Sequence, residues 1–341
     1  MNMTAQNKIG RRTFRPGEHV CISAWASVAG KKESEGPLGH LYDLTSSDTK
    51  FSEKSWEQAE KKMQQLALNT LLDKAGITPE DVDLVYSGDL LNQCIGSSFS
   101  LRNTGIAHLG LYGACSTMAE SLLLSAITAG GGYADRVVAM TSSHFASSER
   151  QYRFPLGYGG QRTPTAQWTV TGSGAALVER RSGTVEITAA TVGTVTDLGI
   201  TDPANMGCAM APAAFDTIRT HFDDTHTGPE DFDLIVTGDL GSLGKEALMY
   251  LFRKEGISIG GKLTDCGTMV FDAQKQDVHC GGSGCGCSAI VLCSELLSKL
   301  QAGKLKKILF CGTGALLSPT STQQNLPIPG VCHGVCIQSR R

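Results

Sequence analysis

Cys115 is the residue best placed to do chemistry. It stands in Gly113-Ala114-Cys115-Ser116, directly before an apolar run that opens at Thr117. A thiol at a helix start meets unpaired N–H groups and the positive end of the helix dipole. Both favour the thiolate, the nucleophilic form. The competing reading is a small buried cysteine filling a packed helix start. Spacing alone leaves both open.

A second segment, HCGGSGCGCS at His279–Ser288, groups three cysteines and a histidine. Cys285-x-Cys287 is tighter than the usual metal-ligand spacing, and no second pair follows, so no metal is assigned. The segment reads as a glycine loop whose backbone approaches a ligand or a strand. Gly281, Gly282 and Ser283 are then candidate N–H donors to an anion, and a side chain at Gly282 would fill the ligand's space. GDLGSLGKEA at Gly238–Ala247 looks like a phosphate loop. It lacks the first glycine, where Asp239 stands, and Glu246 follows Lys245, which excludes nucleotide hydrolysis.

Asp89 and Asp239 end two related strands. Each is either a turn aspartate that accepts backbone N–H bonds or a polar group, or cation ligand, at the rim of a site. His144 ends a strand in TSSH, as a structural hydrogen-bonding residue or as an acid–base group. In ERQYRFPLGYGGQ (Glu149–Gln161), Arg150 and Arg153 lie among Tyr152, Phe154 and Tyr158. Arginines beside aromatics suit a flat anionic molecule, or else form an ordinary exposed loop or subunit contact.

The elements that position these residues are written in a repeat. Thr78–Leu90 reads TPEDVDLVYSGDL and Gly228–Leu240 reads GPEDFDLIVTGDL, identical at eight of thirteen positions. Each copy is a loop, a buried strand (Leu84–Tyr86; Leu234–Thr237) and a Gly-Asp turn. The first follows a helix capped by Ser55 and Gln58, with Ala59, Met63, Leu66, Ala67, Thr70 and Leu71 at helical spacing and Gly76 at its end. The second follows a shorter helix marked by Phe215, Ile218 and Phe222. Small-residue segments then feed the helices Thr117–Ala129 and Ala289–Leu300, followed by the strands Arg136–Met140 and Lys307–Cys311. Trp168–Glu179 reads as strand, turn and strand, and Thr184–Thr191 as the next strand. The pattern predicts two βαβ-rich halves, 1–181 and 182–341, with two mixed sheets and a cleft at their pseudo-twofold interface.

The chain has 341 residues, 41% hydrophobic and 18% charged, enough for a large core. A net charge of −3 gives no drive toward nucleic acid. Twelve cysteines without an apolar leader in MNMTAQNKIGRRTF point to free thiols in a reducing compartment. No stretch reads as a membrane span: Ser121–Ala134 is short, and Ile308–Ser339 is broken by three prolines.

The duplicated half, the cysteine in GACS and the Gly-rich loop before the last helix resemble the thiolase and ketoacyl-ACP synthase fold. Closer still is the resemblance to the stage V sporulation protein AD (SpoVAD) family. It rests on EGPLGHLYD (Glu35–Asp43), SGDLLNQ (Ser87–Gln93), LYGACSTMAES (Leu111–Ser121) and TSSHFASSERQYRFP (Thr141–Pro155). TVTGSGA (Thr169–Ala175), MAPAAFDTI (Met210–Ile218), GGSGCGCSA (Gly281–Ala289) and TGALLSPTSTQQ (Thr313–Gln324) carry it further, over nearly the whole chain. The resemblance implies a five-layered αβαβα sandwich and a homodimer. It implies dipicolinic acid binding and uptake into the developing spore with the membrane-embedded SpoVA proteins. The expected place is cytoplasmic, peripheral at the spore inner membrane, with no cofactor beyond Ca²⁺ carried by dipicolinate, which Asp89 or Asp239 can approach.

One departure bears on mechanism. Condensing enzymes pair the cysteine with a His after the strand that Leu234–Thr237 resembles, and with an Asn or His in the Gly-rich loop. This chain has Gly238-Asp239 at the first place and Ser283 or Cys285 at the second, with His279 upstream. Cys115 thus matches the nucleophile position without its partners. The alternative readings are an acyltransferase using Cys115 and a purely structural subunit.

Overall fold

The computed structural model describes residues 7–17, 19–152 and 162–341. Its strands are β1 (Thr13–Phe14), β2 (Val20–Ala29), β3 (Leu44–Thr45), β4 (Leu84–Gly88), β5 (Ala107–Gly110), β6 (Arg136–Ser143) and β7 (Trp168–Thr169). They continue as β8 (Gly172–Arg180), β9 (Val185–Thr191), β10 (Leu234–Thr237), β11 (Leu263–Asp265), β12 (Gly282–Ser283), β13 (Lys307–Ala315) and β14 (Gly330–Ser339). The helices are α1 (Lys31–Ser34), α2 (Trp56–Ala75), α3 (Ile95–Leu101), α4 (Thr117–Gly130), α5 (Phe145–Tyr152) and α6 (Met206–Thr225). After these come α7 (Gly241–Lys254), α8 (Cys266–Val270), α9 (Cys285–Val291), α10 (Leu297–Gln301) and α11 (Pro319–Gln323).

Strand order runs β5-β4-β6-β8-β2 and then β9-β14-β13-β10-β11. The second series repeats the first as a mirror sequence about the β2/β9 junction. In each, the repeated strand is parallel to its two neighbours, β4 to β5 and β6, β10 to β11 and β13. The expectation of two separate sheets needs correction. One antiparallel pair, Cys21 with Glu186, joins the edge strands β2 and β9, so all ten strands form one hydrogen-bonded path. Elsewhere the two five-stranded parts pack face to face through helices rather than edge to edge.

Alternating side chains produce that layering, because successive residues of a strand face opposite sides. On β6, Val137 and Ala139 enter the central core while Val138 and Met140 face α2. On β13, Ile308 and Phe310 enter the same central core while Leu309 and Cys311 face α6 and α7. The central core holds α4, α9 and α10 between the sheet parts. The layers are therefore α, β, α, β, α.

The outer helices follow their sequence signals. Ser55 Oγ accepts from Gln58 N at 3.3 Å at the start of α2, and Gly76 ends it in the left-handed conformation, φ 66°. Met63 and Leu71 are fully buried, so truncating either to Ala costs about 2–5 kcal/mol. Its counterpart α6 is not shorter, as expected, but equally 20 residues long. Pro212 lies inside it, and Ala209, Met210, Ala213 and Ala214 bury against the sheet around the proline. Packing outweighs the proline's cost there. The last central helix also starts earlier than expected, at Cys285, and passes through a wide turn at Leu292–Leu296 before α10.

Candidate functional site

Cys115 sits on a tight turn, Ala114–Ser116, that leads into α4. Ala114 adopts φ +51°, a conformation unusual for a residue with a Cβ, and the turn swings the thiol inward. Cys115 is 7% exposed and touches Leu90 and Cys285. Its Sγ lies 3.9 Å from Ser283 Oγ, whose hydroxyl in turn donates to the Asp239 carboxylate.

Asp239 organises this cluster. Ser283 Oγ and Gly284 N both donate to its Oδ2 at 2.9 Å, and Thr313 Oγ1 donates to its Oδ1 at 2.9 Å. The residue is fully buried. Burial raises its carboxyl above the usual range, against the pull of those donors. Burial likewise pushes the Cys115 thiol well above its ordinary value, and the neighbouring carboxylate pushes it further. Of the two readings that spacing left open, these shifts favour the packed, protonated thiol over the thiolate. Desolvation, and after it a nearby like charge, outweigh the end of the helix dipole. The arrangement holds a protonated thiol near a carboxylate, where an oxyanion would need an imidazole or amide donor.

The Gly-rich loop reaches Cys115 through a short parallel ribbon, in which Gly282–Ser283 pairs with Trp168–Thr169. Trp168 N donates to Gly281 O and Val170 N to Ser283 O, each at 2.8 Å. Gly281 N is spent on Val278 O, and Gly284 N on Asp239. Gly281 has φ +109°, and a Cβ there would meet Gly267 O at 2.6 Å. A Cβ on Gly282 would meet Val170 at 3.0 Å, Cys287 at 3.2 Å and Phe271 at 3.4 Å. The glycines serve close packing of backbone. A large side chain at Gly282 would therefore disturb the core rather than fill a ligand's space.

The remaining sequence candidates spend their polar atoms on the protein. Asp89 is fully buried; its Oδ1 accepts from Leu91 N at 2.9 Å and its Oδ2 from Ser97 N and Ser97 Oγ, both at 2.7 Å. His144 Nε2 donates to Thr49 O at 2.7 Å and its Nδ1 accepts from Ala146 N at 3.2 Å, an arrangement of neutral imidazole. Burial lowers its pKa. Asp89 is closed on its own donors. Arg150 pairs with Glu57. Arg153, Phe154 and Tyr158 lie outside the described residues.

The thiols of the Gly-rich segment diverge: Cys280 donates to Pro164 O, Cys285 to Ser142 O and Cys287 to Gly238 O. Among the described residues, no group of three or more His, Cys, Asp or Glu side chains is placed to hold a metal ion.

Sequence reasoning missed Gln167 and Thr313. Gln167 Nε2 donates to Asp239 O at 2.7 Å and Gly282 O at 2.9 Å, tying the loop to the carboxylate's backbone. Gln167 has no motif of its own, and its one signal is its place beside the strand that pairs with the Gly-rich loop.

The stage V sporulation protein AD (SpoVAD) family matches residues 10–338. The chain is also 44% identical over 329 residues to "Stage V sporulation protein AD" of Bacillus subtilis (strain 168), covering 96% of this chain and 97% of that one. The chain belongs to the SpoVAD family. Among solved structures, this SpoVAD member is similar to 3-oxoacyl-[acyl-carrier-protein] synthase III from Aquifex aeolicus VF5. The identity there is 15% and the TM-score 0.56, over 94% of this chain and 100% of that chain. It is similar to a single-substitution variant of OleA from Xanthomonas campestris at 16% identity and TM-score 0.60, over 94% and 97% of the two chains. Human mitochondrial 3-ketoacyl-CoA thiolase gives 13% and 0.56, over 97% and 98%. These likenesses give the SpoVAD member a thiolase-like fold.

Proposed function

We propose that this chain is a non-catalytic protein on a thiolase-like scaffold, binding dipicolinic acid and supporting its uptake into the developing spore. The observation that carries the non-catalytic part is the buried Asp239 carboxylate linked to Cys115 through the Ser283 hydroxyl. Condensation develops negative charge on a thioester oxygen and needs fixed donors beside the nucleophile. A carboxylate has the wrong sign, and it also opposes formation of the thiolate. Membership of a sporulation family supports the role; dipicolinate itself follows from the sequence resemblance.

The proposed partners are the SpoVA membrane proteins and a second copy of this chain. Among the described residues the edge strand β5 pairs with β4 alone. Leu109 on it is 53% exposed, with Phe99 of α3 at 44%, which supports a dimer through that edge. No helix among the described residues is long and apolar enough to cross a membrane, and the proposed place is cytoplasmic, peripheral at the spore inner membrane.

Calorimetry with dipicolinate, with and without Ca²⁺, tests the binding: measurable affinity supports the reading, and none at millimolar ligand removes it. Acetyl-CoA plus malonyl-CoA should give no condensation product. Multiple turnovers that vanish in Cys115→Ala would put the acyltransferase reading first.

A further inference from the structure

The middle strands of the path end together. Arg136 lies opposite Glu179, Val20 opposite Arg180, Val185 opposite Ser339 and Lys307 opposite Gln338, so β6, β8, β2, β9, β14 and β13 share one end. It is the end away from Cys115, since α4 begins beside that thiol and its last turn leads down to Arg136. Four segments meet there, 135–136, 179–186, 304–307 and 340–341. They hold eight Lys and Arg against three Asp and Glu. Asp83 and Asp233 add two carboxylates, each accepting two backbone N–H groups, so cations still lead by three. The whole chain, by contrast, carries −3.

Pairing leaves that excess in water. Arg136 and Arg181 spend their charge on Glu179, and Arg340 on Glu186. Arg180, Lys304, Lys306 and Arg341 are exposed and form no ion pair among the described residues. They are contiguous. A Cβ on Gly303 would meet Arg341 at 3.4 Å and Lys306 Nζ at 3.9 Å, and Lys306 Nζ donates to Arg341 O at 2.7 Å. Arg340 N donates to Thr184 O at 2.8 Å, just past the turn that follows Arg180. The C-terminal ends of α4 and α10 open on this face, but each answers only about half an elementary charge. The turns Pro79–Asp81 and Pro229–Asp231 put acids at β4 and β10, so the basic stripe lies across the strands between them. Tyr133 stands in the stripe, 84% exposed, after a glycine turn that packs on Arg180: a Cβ on Gly132 would meet Arg180 Nη1 at 2.9 Å. Ile127, on the last turn of α4, is also exposed.

We propose that this end of the sheet is a docking face for an anionic lipid surface. Strand ends held in register present their charges in one plane, which fits a flat layer of headgroups. Exposed Lys and Arg gain from anionic headgroups, and a tyrosine ring suits the headgroup level. An overall charge of −3 and the apolar Tyr133–Ile127 tip favour lipid over nucleic acid. Docked this way, Cys115 and the Gly-rich loop stand at the far end from the membrane. The inference deepens the peripheral place proposed above and rests on it only for which membrane is met.

The test is sedimentation of the full chain with vesicles of phosphatidylcholine alone and of phosphatidylcholine with equimolar phosphatidylglycerol. The chain should bind the anionic vesicles, less as salt rises, and leave the neutral ones. Each cation removed should weaken binding about fivefold, so Arg180→Gln with Lys306→Gln should lose about twenty-five-fold. Tyr133→Ser should also weaken it. Lys50→Gln with Lys54→Gln, at the other end of the sheet, should bind as the wild type does. Thermal midpoints check folding, and Lys304→Gln replaces Lys306→Gln if that variant does not fold. Unchanged binding in the Arg180 and Lys306 double variant overturns this face and leaves the membrane place standing. If the wild type binds no anionic vesicle, the lipid partner is wrong and the membrane place falls to the SpoVA proteins. Tighter binding to duplex DNA than to vesicles, lost in the same variants, overturns lipid as the occupant. Vesicle binding that needs these residues, in a chain absent from the inner-membrane fraction of sporulating cells, keeps the face and removes the proposed place.

Discussion

The two copies of the repeat share a backbone and differ in what their last aspartate does. In both, the loop aspartate closes the turn: Asp81 accepts from Thr78 N at 2.9 Å and Asp231 from Gly228 N at 2.8 Å. In both, the next aspartate clamps the neighbouring parallel strand. Asp83 accepts from Asp135 N and Arg136 N, and Asp233 from Lys306 N and Lys307 N. The copies part at the strand end. Asp89 turns back on Leu91 and Ser97, whereas Asp239 holds Ser283, Gly284 and Thr313 and reaches the thiol of Cys115, in the other half, through Ser283. In the second half the local capping is done instead by Asp265, which accepts from Leu240 N at 2.8 Å and Gly241 N at 3.0 Å. With its local duty transferred, Asp239 is free to face the other half. A repeat fixes where a carboxylate stands; its partners decide whether it caps a turn or restrains a nucleophile.

The largest break in this comparison should come from deleting either strand-end carboxylate. Asp89→Ala and Asp239→Ala each strand three buried donors, so each should lose about 3 kcal/mol or more in urea unfolding. If one variant were neutral, that carboxylate would not be holding its donors.

Reactivity should separate the two sites. Asp239→Asn removes the charge facing Cys115, and iodoacetamide should then alkylate Cys115 about tenfold faster at pH 8, read by peptide mass. Asp89→Asn should leave that rate where it was. Equal acceleration in both variants would mean that general loosening, not charge, controls the thiol.

The buried acids of the first half give a pH signature. Glu60 accepts from Ser142 Oγ at 2.9 Å and Ser147 Oγ at 2.7 Å, and burial, with Asp89 nearby, lifts its carboxyl to about 8 from 4.5. The folded state therefore holds this proton more tightly than the unfolded chain. Its contribution to stability is full below about 4.5 and is lost as the pH climbs toward 8. Glu60→Gln should raise the thermal midpoint relative to wild type at pH 8 and leave the difference small at pH 4.5. A constant difference at all pH values would show that Glu60 is ionised in the folded protein.

The smallest effect concerns the shared clamps. Asp83→Asn and Asp233→Asn should each cost ~1 kcal/mol, because both are exposed backbone-accepting carboxylates with the same pair of donors. Unequal costs would mean the two copies are less alike than their sequences.

The sequence by itself determined the local architecture. Ser55 and Gly76 mark the ends of α2, the apolar alternation marks the repeated strands, and the thirteen-residue repeat fixes two similar halves. These are readable because caps, periodicity and turns act over a few residues along the chain. It also placed Cys115 at a helix entrance beside the Gly-rich loop and marked its missing partners. Tertiary structure alone decided the rest. It joined the two sheet parts through Cys21 and Glu186, extended α6 past Pro212, set Asp239 rather than Asp89 near the thiol, and brought Lys32 onto Trp168. These outcomes hinge on burial and on contacts between residues over a hundred positions apart. Desolvation and a nearby like charge move a pKa by more than a helix dipole does, and neither can be seen until the chain has closed on itself.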